Sequence, residues 1–332
     1  MTNTSLSVRL TPKIRLERAI KKAGVDNPAN VSKLTISGSI TNVDLEYIRE
    51  NMAHTLQELD MGNATFARNK IPSDAFKGCS GLTSIIIPDS VVTIGHSAFD
   101  RCTSLKSVTL SNSLTDLEYC SFSGSGLTSI TIPESVVMIE YYAFSYCSEL
   151  VAVSIPASLT EIGDYVFRKC NSLTSITVHQ DNSVFCSEDG VMFNKDKSVL
   201  VACPAGRQGD YTIPDTVTTI RHAAFIDCKG LTSVTIPNSV VEIKSRAFCG
   251  CSGLKSVTLP ASIEKIGRYA FSQCQEMTEI NIPDAVYEID TSVFFECYRL
   301  TNIIKSAARI RMEDRRYYDC PALRSFQPPG VG

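Results

Sequence analysis

The chain is 332 residues long, 43% hydrophobic and 20% charged, with a formal net charge of −3. That balance describes a soluble folded protein and argues against nucleic acid or an anionic membrane surface as its main partner. No apolar run reaches the roughly 18 residues that a membrane-spanning helix needs, and thirteen cysteines in a chain this long do not read as the disulfide framework of a short secreted domain.

The N-terminal stretch MTNTSLSVRLTPK lacks the apolar core of a secretory signal. A trimmed, mature chain would read the same way, so export is left open. KIRLERAIKKAG reads as a short basic amphipathic helix ending at Gly24. VSKLTI (residues 31–36) reads as a strand. TNVDLEYIRENM sets Leu45, Ile48 and Met52 at helical intervals, with Thr41 or Asn42 as the N-cap. TLQELDM (residues 55–61) reads as a second strand of the same type.

From there the chain becomes periodic. Cysteine recurs at Cys79, Cys102, Cys147, Cys170, Cys228, Cys251, Cys274, Cys297 and Cys320, mostly in steps of 23 residues. A phenylalanine stands three residues before all but the last: Phe76, Phe99, Phe144, Phe167, Phe225, Phe248, Phe271 and Phe294, with Tyr317 in the final copy. Phe122 marks a further copy in which SGSGL has lost one residue and the cysteine. A fixed period of this length is the signature of a repeat architecture.

Each copy carries L-x-x-V-x-I, whose last positions alternate apolar and polar, the pattern of a short strand with one buried face. Leu231, Val234 and Ile236 point inward in one copy, Leu254, Val257 and Leu259 in the next. The proline that usually follows (Pro88, Pro133, Pro156, Pro214, Pro237, Pro260, Pro283) has no N–H and ends the strand. A second apolar pair, such as Val241 and Ile243, starts the return path, and the Ala-Phe pair enters the interior from the far side. A 23-residue unit cannot bury this apolar surface alone, so copies stack, with strands about 4.8 Å apart and about eleven rungs in all.

Residues 179–211, HQDNSVFCSEDGVMFNKDKSVLVACPAGRQGDY, hold one divergent rung with an insert. Asp-Gly and Asn-Lys-Asp between β-prone runs predict tight turns and hairpin-like strands. At the other end, IKSAARIRMEDRRYYDC keeps the period without the proline, and QPPGVG reads as a tail. The expected organisation is an N-terminal cap with the first strand and helices over 1–54, a repeat array over 55–325 and a tail over 326–332.

The phrase LTSVTIPNSVVEIKSRAFCGC resembles the BspA-like, or treponemal-type, leucine-rich repeats, and CSEDGVMFNKDKSVLVACPAGRQGDYTIPDTV resembles the elaborated repeat found within such arrays. The likeness covers residues 31–325, through about nine units that agree in spacing and residue type. It implies an α/β leucine-rich-repeat solenoid, a β-rich horseshoe. Its parallel sheet would have a convex side of short 3-10 turns and loops, and a helical N-terminal cap. It further implies a protein of gut- or oral-type bacterial surfaces, or of parasitic protists, engaged in adhesion to host protein or glycan, and it brings no catalytic motif.

Several residue groups invite a chemical reading. The periodic cysteines either form a structural ladder of buried, reduced thiols or serve metal or redox chemistry. Their Cβ vectors run parallel, which argues against bridging even at disulfide-compatible Cα spacing. Four cysteines lie off the ladder: Cys120, Cys186, Cys203 and Cys249. Cys186 and Cys203 flank the insert and either pair or stay packed as free thiols; Cys249 points outward while Cys251 points in. His96 and His222 share a repeat position about five rungs, or roughly 24 Å, apart, too far to share a metal. Glu188, Asp189 and Asp196 suit either calcium or turn formation, without EF-hand spacing. No G-x-S-x-G, H-E-x-x-H or phosphate-binding loop occurs.

What remains is a surface. The outward strand positions carry Ile86, Thr109, Thr131, Ser154, Thr177, Thr235, Thr258 and Asn281, a face rich in hydroxyls. Lys106, Lys255, Glu279 and Asn302 stand beside it as candidate contact residues. This face is either a recognition platform or an ordinary solvated sheet. Arg309, Arg311, Arg315 and Arg316 form a basic end that either takes an acidic group or caps the array. The leading expectation is a monomeric, non-enzymatic module at the cell surface or outside the cell, binding a host or microbial protein or glycan. No cofactor, nucleic acid or membrane insertion enters that expectation. The alternative is a structural or intracellular scaffold with no specific ligand, in the cytoplasm. A third reading, an enzyme acting through the insert, has no nucleophile to stand on.

Overall fold

The structure, a computed structural model, describes residues 4–286, 288–305, 309–311 and 320–324. They form a parallel-stranded β-solenoid divided into two compact units, Met1–Cys170 with His179–Ser183, and Asn171–Val178 with Val184–Gly332. Arg315, Arg316, Tyr317 and the 326–332 tail lie outside the described residues, as do the side chains of Arg309 and Arg311.

In the first unit seven strands repeat along the chain: Thr4–Leu10, Val31–Ile40, Glu58–Phe66, Ser84–Ile86, Ser107–Thr109, Ser129–Thr131 and Ala152–Ile155. The first five form one parallel sheet whose register stacks Leu34, Leu59, Ile85 and Val108. A second parallel ladder of two-residue strands follows each turn, stacking Ile71, Ile94, Leu117, Ile139 and Ile162. Between the ladders, each strand-ending proline accepts an N–H three residues on, as Pro88 does from Val91 (3.0 Å) and Pro133 from Val136 (3.1 Å). The ring that cannot donate thus starts a tight turn that drives the next apolar residue inward.

The return path closes on the phenylalanines. From Phe76 to Phe144 the Phe N–H donates to the next rung: Phe76 to Ala98 O at 2.7 Å, Phe99 to Ser121 O at 2.8 Å, Phe122 to Ala143 O at 2.8 Å, Phe144 to Val166 O at 3.1 Å. The rings stack face to face, with centroids 5.2 Å apart for Phe76–Phe99, 4.9 Å for Phe99–Phe122 and 5.7 Å for Phe122–Phe144. Two residues before and two after each Phe, the backbone enters the left-handed region, as at Ser97 (φ 53°) and Arg101 (φ 58°) around Phe99. Outside glycine such conformations are costly. Here the bonds between rungs outweigh that cost and aim each ring at the axis.

The cap differs from the expectation in one respect. Both helices form, Leu16–Lys22 and Asn42–Asn51, the second with Thr41 as N-cap in a capping box with Asp44. Outside them, however, Thr4–Leu10 forms an edge strand parallel to Val31–Ile40, pairing Leu6 with Leu34 and Val8 with Ile36. The cap is therefore part sheet. This rung has neither Phe nor Cys, which is why the 23-residue period does not reach it. Gly38 (φ 83°) faces it, where a Cβ would lie 2.1 Å from the Leu10 carbonyl oxygen.

In the second unit the six repeating strands are Ser175–Val178, Gln208–Thr212, Gly230–Thr235, Ser256–Thr258, Glu279–Ile282 and Asn302–Lys305. It has a Phe stack of its own, at 4.7 Å for Phe225–Phe248 and 5.2 Å for Phe248–Phe271. The insert is an antiparallel hairpin, Phe185–Glu188 with Val191–Asn194, extended by Val199–Ala202. Its third strand then pairs parallel with Thr219–Ile220. A segment that breaks the sequence period is thereby spliced back into the ladder of short strands.

Candidate functional site

The outward-facing strand positions are fixed by the alternation of each strand. Inward residues such as Val108, Ile130 and Val153 pack toward the core, and every second side chain turns to solvent. In the first unit Lys106, Thr109, Thr131 and Ser154 are exposed. In the second unit Thr177, Thr235, Lys255, Thr258, Glu279 and Asn281 are exposed. The parallel register sets Ile86 opposite Thr109, and Thr235 opposite Thr258, so equivalent side chains repeat from rung to rung.

The charged residues on this side are less free than the sequence suggests. Lys106 is held by Glu149, Nζ to Oε2 at 2.5 Å. Lys33 pairs with Glu58 at 2.7 Å, and Arg299 with Glu276 at 2.5 Å. These links join rungs, and because they are exposed each contributes little stability. They leave the hydroxyl rows between them as the uncharged part of the surface. Asp210, a residue that sequence reasoning missed, accepts from Thr232 Oγ1 at 2.6 Å and Ser233 Oγ at 2.7 Å. Those bonds, Thr232 first, hold its carboxyl below the usual range. No local motif announces the arrangement, since the partners lie 22 and 23 residues away.

The insert hairpin reaches the same unit's Ser175–Val178 strand, where Ile176 N–H donates to Gly190 O at 2.9 Å and Val178 N–H to Ser187 Oγ at 2.9 Å. Arg207 fastens its tip. It donates to Asp189 O at 2.8 Å and pairs with the Asp189 carboxylate, and its guanidinium lies 4.4 Å over the Tyr211 ring. Glu188 pairs with Lys197 at 2.6 Å, and Asp196 accepts from Ser198 N–H and Oγ. The three acids of the insert are thus each engaged separately, in turn and clamp contacts.

None of the thirteen cysteines is in a disulfide, and the nine periodic ones are buried. Their thiols make a repeated bond: Cys102 Sγ to Phe76 O at 3.1 Å, Cys170 to Phe144 O at 3.1 Å, Cys251 to Phe225 O at 3.0 Å and Cys297 to Phe271 O at 3.0 Å. Each thiol so satisfies a carbonyl of the preceding rung while filling a space sized for a small apolar group. Where the cysteine is missing, Ser125 takes its place, buried, with its hydroxyl 3.2 Å from Cys147 Sγ. Burial pushes Cys79 up to about 12 and Cys147 up to about 11, the latter tempered by Ser125. Burial also raises Cys102, Cys170, Cys228, Cys274 and Cys297. Thiols held neutral in this way are poor nucleophiles. Cys186 is half-buried and donates to Asn194 O at 3.2 Å, while Cys203 is buried, each a free thiol. Cys249 is half-buried while Cys251 is fully buried, so the two side chains of the Cys-Gly-Cys diverge.

His96 lies 3.2 Å from Glu118, His54 bonds Ser80, and His179 lies 3.9 Å from Asp181. Among the described residues no three His, Cys, Asp or Glu side chains gather as a metal site would require. No helix among them is long and apolar enough to cross a membrane.

The sequence profile of the BspA type leucine rich repeat region matches residues 69–191 and 207–324, in six copies. The gap between those spans, residues 192–206, runs from the hairpin's second strand through Val199–Ala202 to the turn after it. A crystal structure of a leucine-rich repeat protein from Eubacterium ventriosum is similar to this chain at 24% identity and a TM-score of 0.69, covering 81% of this chain and 78% of that one. A leucine rich cell surface protein from Faecalibacterium prausnitzii is similar at 25% identity and 0.61, covering 82% and 84%. The pneumococcal vaccine antigen PcpA is similar at 20% identity and 0.55, covering 77% of each. The first and third likenesses establish the fold alone. No curated protein matches the chain.

Proposed function

The chain belongs to the BspA-type leucine-rich repeat family, and from that premise we propose that it is a non-enzymatic binding module displayed at a bacterial cell surface. Its outward strand faces contact a protein or a glycan. The observation that carries the reading is the even row of exposed hydroxyl and amide side chains, Thr109, Thr131 and Ser154 in the first unit and Thr235, Thr258 and Asn281 in the second. Parallel register sets such groups about 4.8 Å apart on a rigid backbone. A broad, weakly charged, preorganised surface of this kind loses little entropy on binding and hydrogen-bonds readily to sugar hydroxyls or to peptide. The cell-surface relative from Faecalibacterium prausnitzii supports the proposed location.

The ladder thiols are buried and raised, and the three acids of the insert are each engaged in turn and clamp contacts, which supports a role in recognition. The test is a screen of the whole chain against arrayed glycans and extracellular-matrix proteins. The expected result is saturable binding to a defined subset of them. Binding to none, with turnover of any arrayed substrate, would contradict the proposal.

A further inference from the structure

We infer that the N-terminal cap of the first unit carries a second binding site, specific for a small ligand bearing an oxyanion, separate from the strand faces. The cap encloses an open cleft of about 800 Å³, large enough for a sugar-sized molecule. Arg15, Arg68 and Lys70 line it, together with Thr41, Asn42 and the apolar wall of Phe66, and no carboxylate does. In a chain whose net charge is −3, the cleft gathers three cations along a lining that holds no acid.

The acids nearby are turned away or already engaged. Asp44 is buried, its Oδ1 accepting from Leu16 N–H at 2.8 Å and its Oδ2 from Thr41 N–H at 2.9 Å and Thr41 Oγ1 at 2.7 Å. Arg15 donates to Thr41 Oγ1 at 3.0 Å and lies 3.7 Å from Asp44, which fixes its guanidinium at the rim. Lys70 pairs with Glu118 at 2.5 Å. Arg68 is different: it is exposed, lines the cleft, and has no hydrogen-bond or ion-pair partner among the described residues.

The backbone beneath Arg68 is also distinctive. Arg68 (φ 57°) and Asn69 (φ 53°) are consecutive non-glycine residues in the left-handed region. Around the phenylalanines such residues occur singly, in a turn that every rung repeats. Here the pair stands where the next rungs hold Val91–Val92 and Leu114–Thr115, none of them left-handed. Glycine would adopt the conformation at lower cost, so the arginine side chain is what residue 68 adds. A guanidinium on the wall of a cleft, with its donors uncommitted, suits a carboxylate, sulfate or phosphate, which its planar fork can engage bidentately.

The test titrates the whole chain with D-glucuronate, sodium sulfate, sodium phosphate and neutral D-glucose, at constant ionic strength set with chloride. Saturable binding of glucuronate, sulfate or phosphate, but not of glucose, is the expected result. Whichever of the three saturates identifies the oxyanion. Arg68→Gly suits the left-handed backbone, so it should melt no lower than the parent while binding the same probe about tenfold or more weakly, the loss of one charge-assisted contact. Arg68→Lys should recover part of that loss. No saturable binding by any oxyanion, or unchanged affinity in Arg68→Gly, overturns the inference. Neither outcome bears on the strand faces, whose array binding is read separately.

Discussion

Phe99→Ala is expected to destabilise the first unit by about 3–5 kcal/mol, the range for truncating a fully buried aromatic side chain. Phe99 is wholly buried and stacked on both sides, against Phe76 at 5.2 Å and Phe122 at 4.9 Å. Its removal therefore opens a cavity and also deletes two aromatic contacts. In a stacked array each rung is stabilised chiefly by its neighbours, so loss of one ring in mid-stack weakens two interfaces at once. Thr109→Ala, on the exposed face of the following strand, should change stability by less than about 0.5 kcal/mol. Urea titration followed by far-ultraviolet circular dichroism measures both. A Phe99→Ala midpoint as close to the parent as that of Thr109→Ala would show that the ring stack does not hold the rungs together.

A larger effect is expected in alkali. Seven ladder thiols have pKa values raised by burial, including Cys79 at about 12 and Cys147 at about 11. In the unfolded chain a thiol ionises near 8.5. A group whose folded pKa is raised leaves stability untouched below its unfolded pKa and lowers it as pH rises toward the folded value, because the unfolded state releases the proton first. Above pH 8.5 each such thiol thus costs about 1.4 kcal/mol per pH unit. Four such thiols lie in the first unit and three in the second, so in each unit several costs of the same sign add as pH rises. Under reducing conditions the protein should therefore keep its stability from about pH 6 to 7.5 and lose it steeply from about pH 8.5 upward. In Cys102→Ala/Cys170→Ala the slope of stability against pH should be visibly shallower. Flat stability up to pH 10.5, or an unchanged slope in the double variant, would mean that the ladder thiols are not buried as described.

The two predictions rest on the residues that were easiest to read. Phe and Cys recur as identities, so the 23-residue period, the inward strand positions and the buried ladder follow from the letters. The outward threonines were legible for the same reason, since alternation alone decides which face a side chain occupies. Ser125 shows where that legibility falters. One deleted residue hides its place in the ladder, and only the 3.2 Å contact with Cys147 reveals that a hydroxyl stands in for the thiol. The edge strand Thr4–Leu10 was illegible because its partner lies 27 or 28 residues along, beyond any repeat signature.

Backbone conformation was harder still. The left-handed positions flanking the phenylalanines hold Ser97, Cys120, Tyr142, Ala223 and Arg246, residue types with no common preference for that region. Hydrogen bonds between rungs impose it, and a tertiary cause leaves no local trace. The same holds for the surface electrostatics. Lys106 stood out in the sequence as a candidate contact residue, and Glu149 engages it from 43 residues away. The cationic cleft assembles Arg15, Thr41 and Arg68 from three separate elements, so no motif could have announced it.

The central claim, that the exposed strand faces are the binding surface, is tested most directly by isothermal titration of the array-selected ligand. The parent chain would be compared with Thr109→Lys/Thr131→Lys in the first unit and Thr235→Lys/Thr258→Lys in the second. Lysine at these exposed positions leaves the core intact but fills the hydroxyl row with bulk and charge. The account predicts parent-like melting for both double variants and affinity at least about tenfold weaker, roughly 1.4 kcal/mol, in the variant whose unit holds the ligand. Unchanged affinity in both double variants would place the ligand elsewhere and contradict the account.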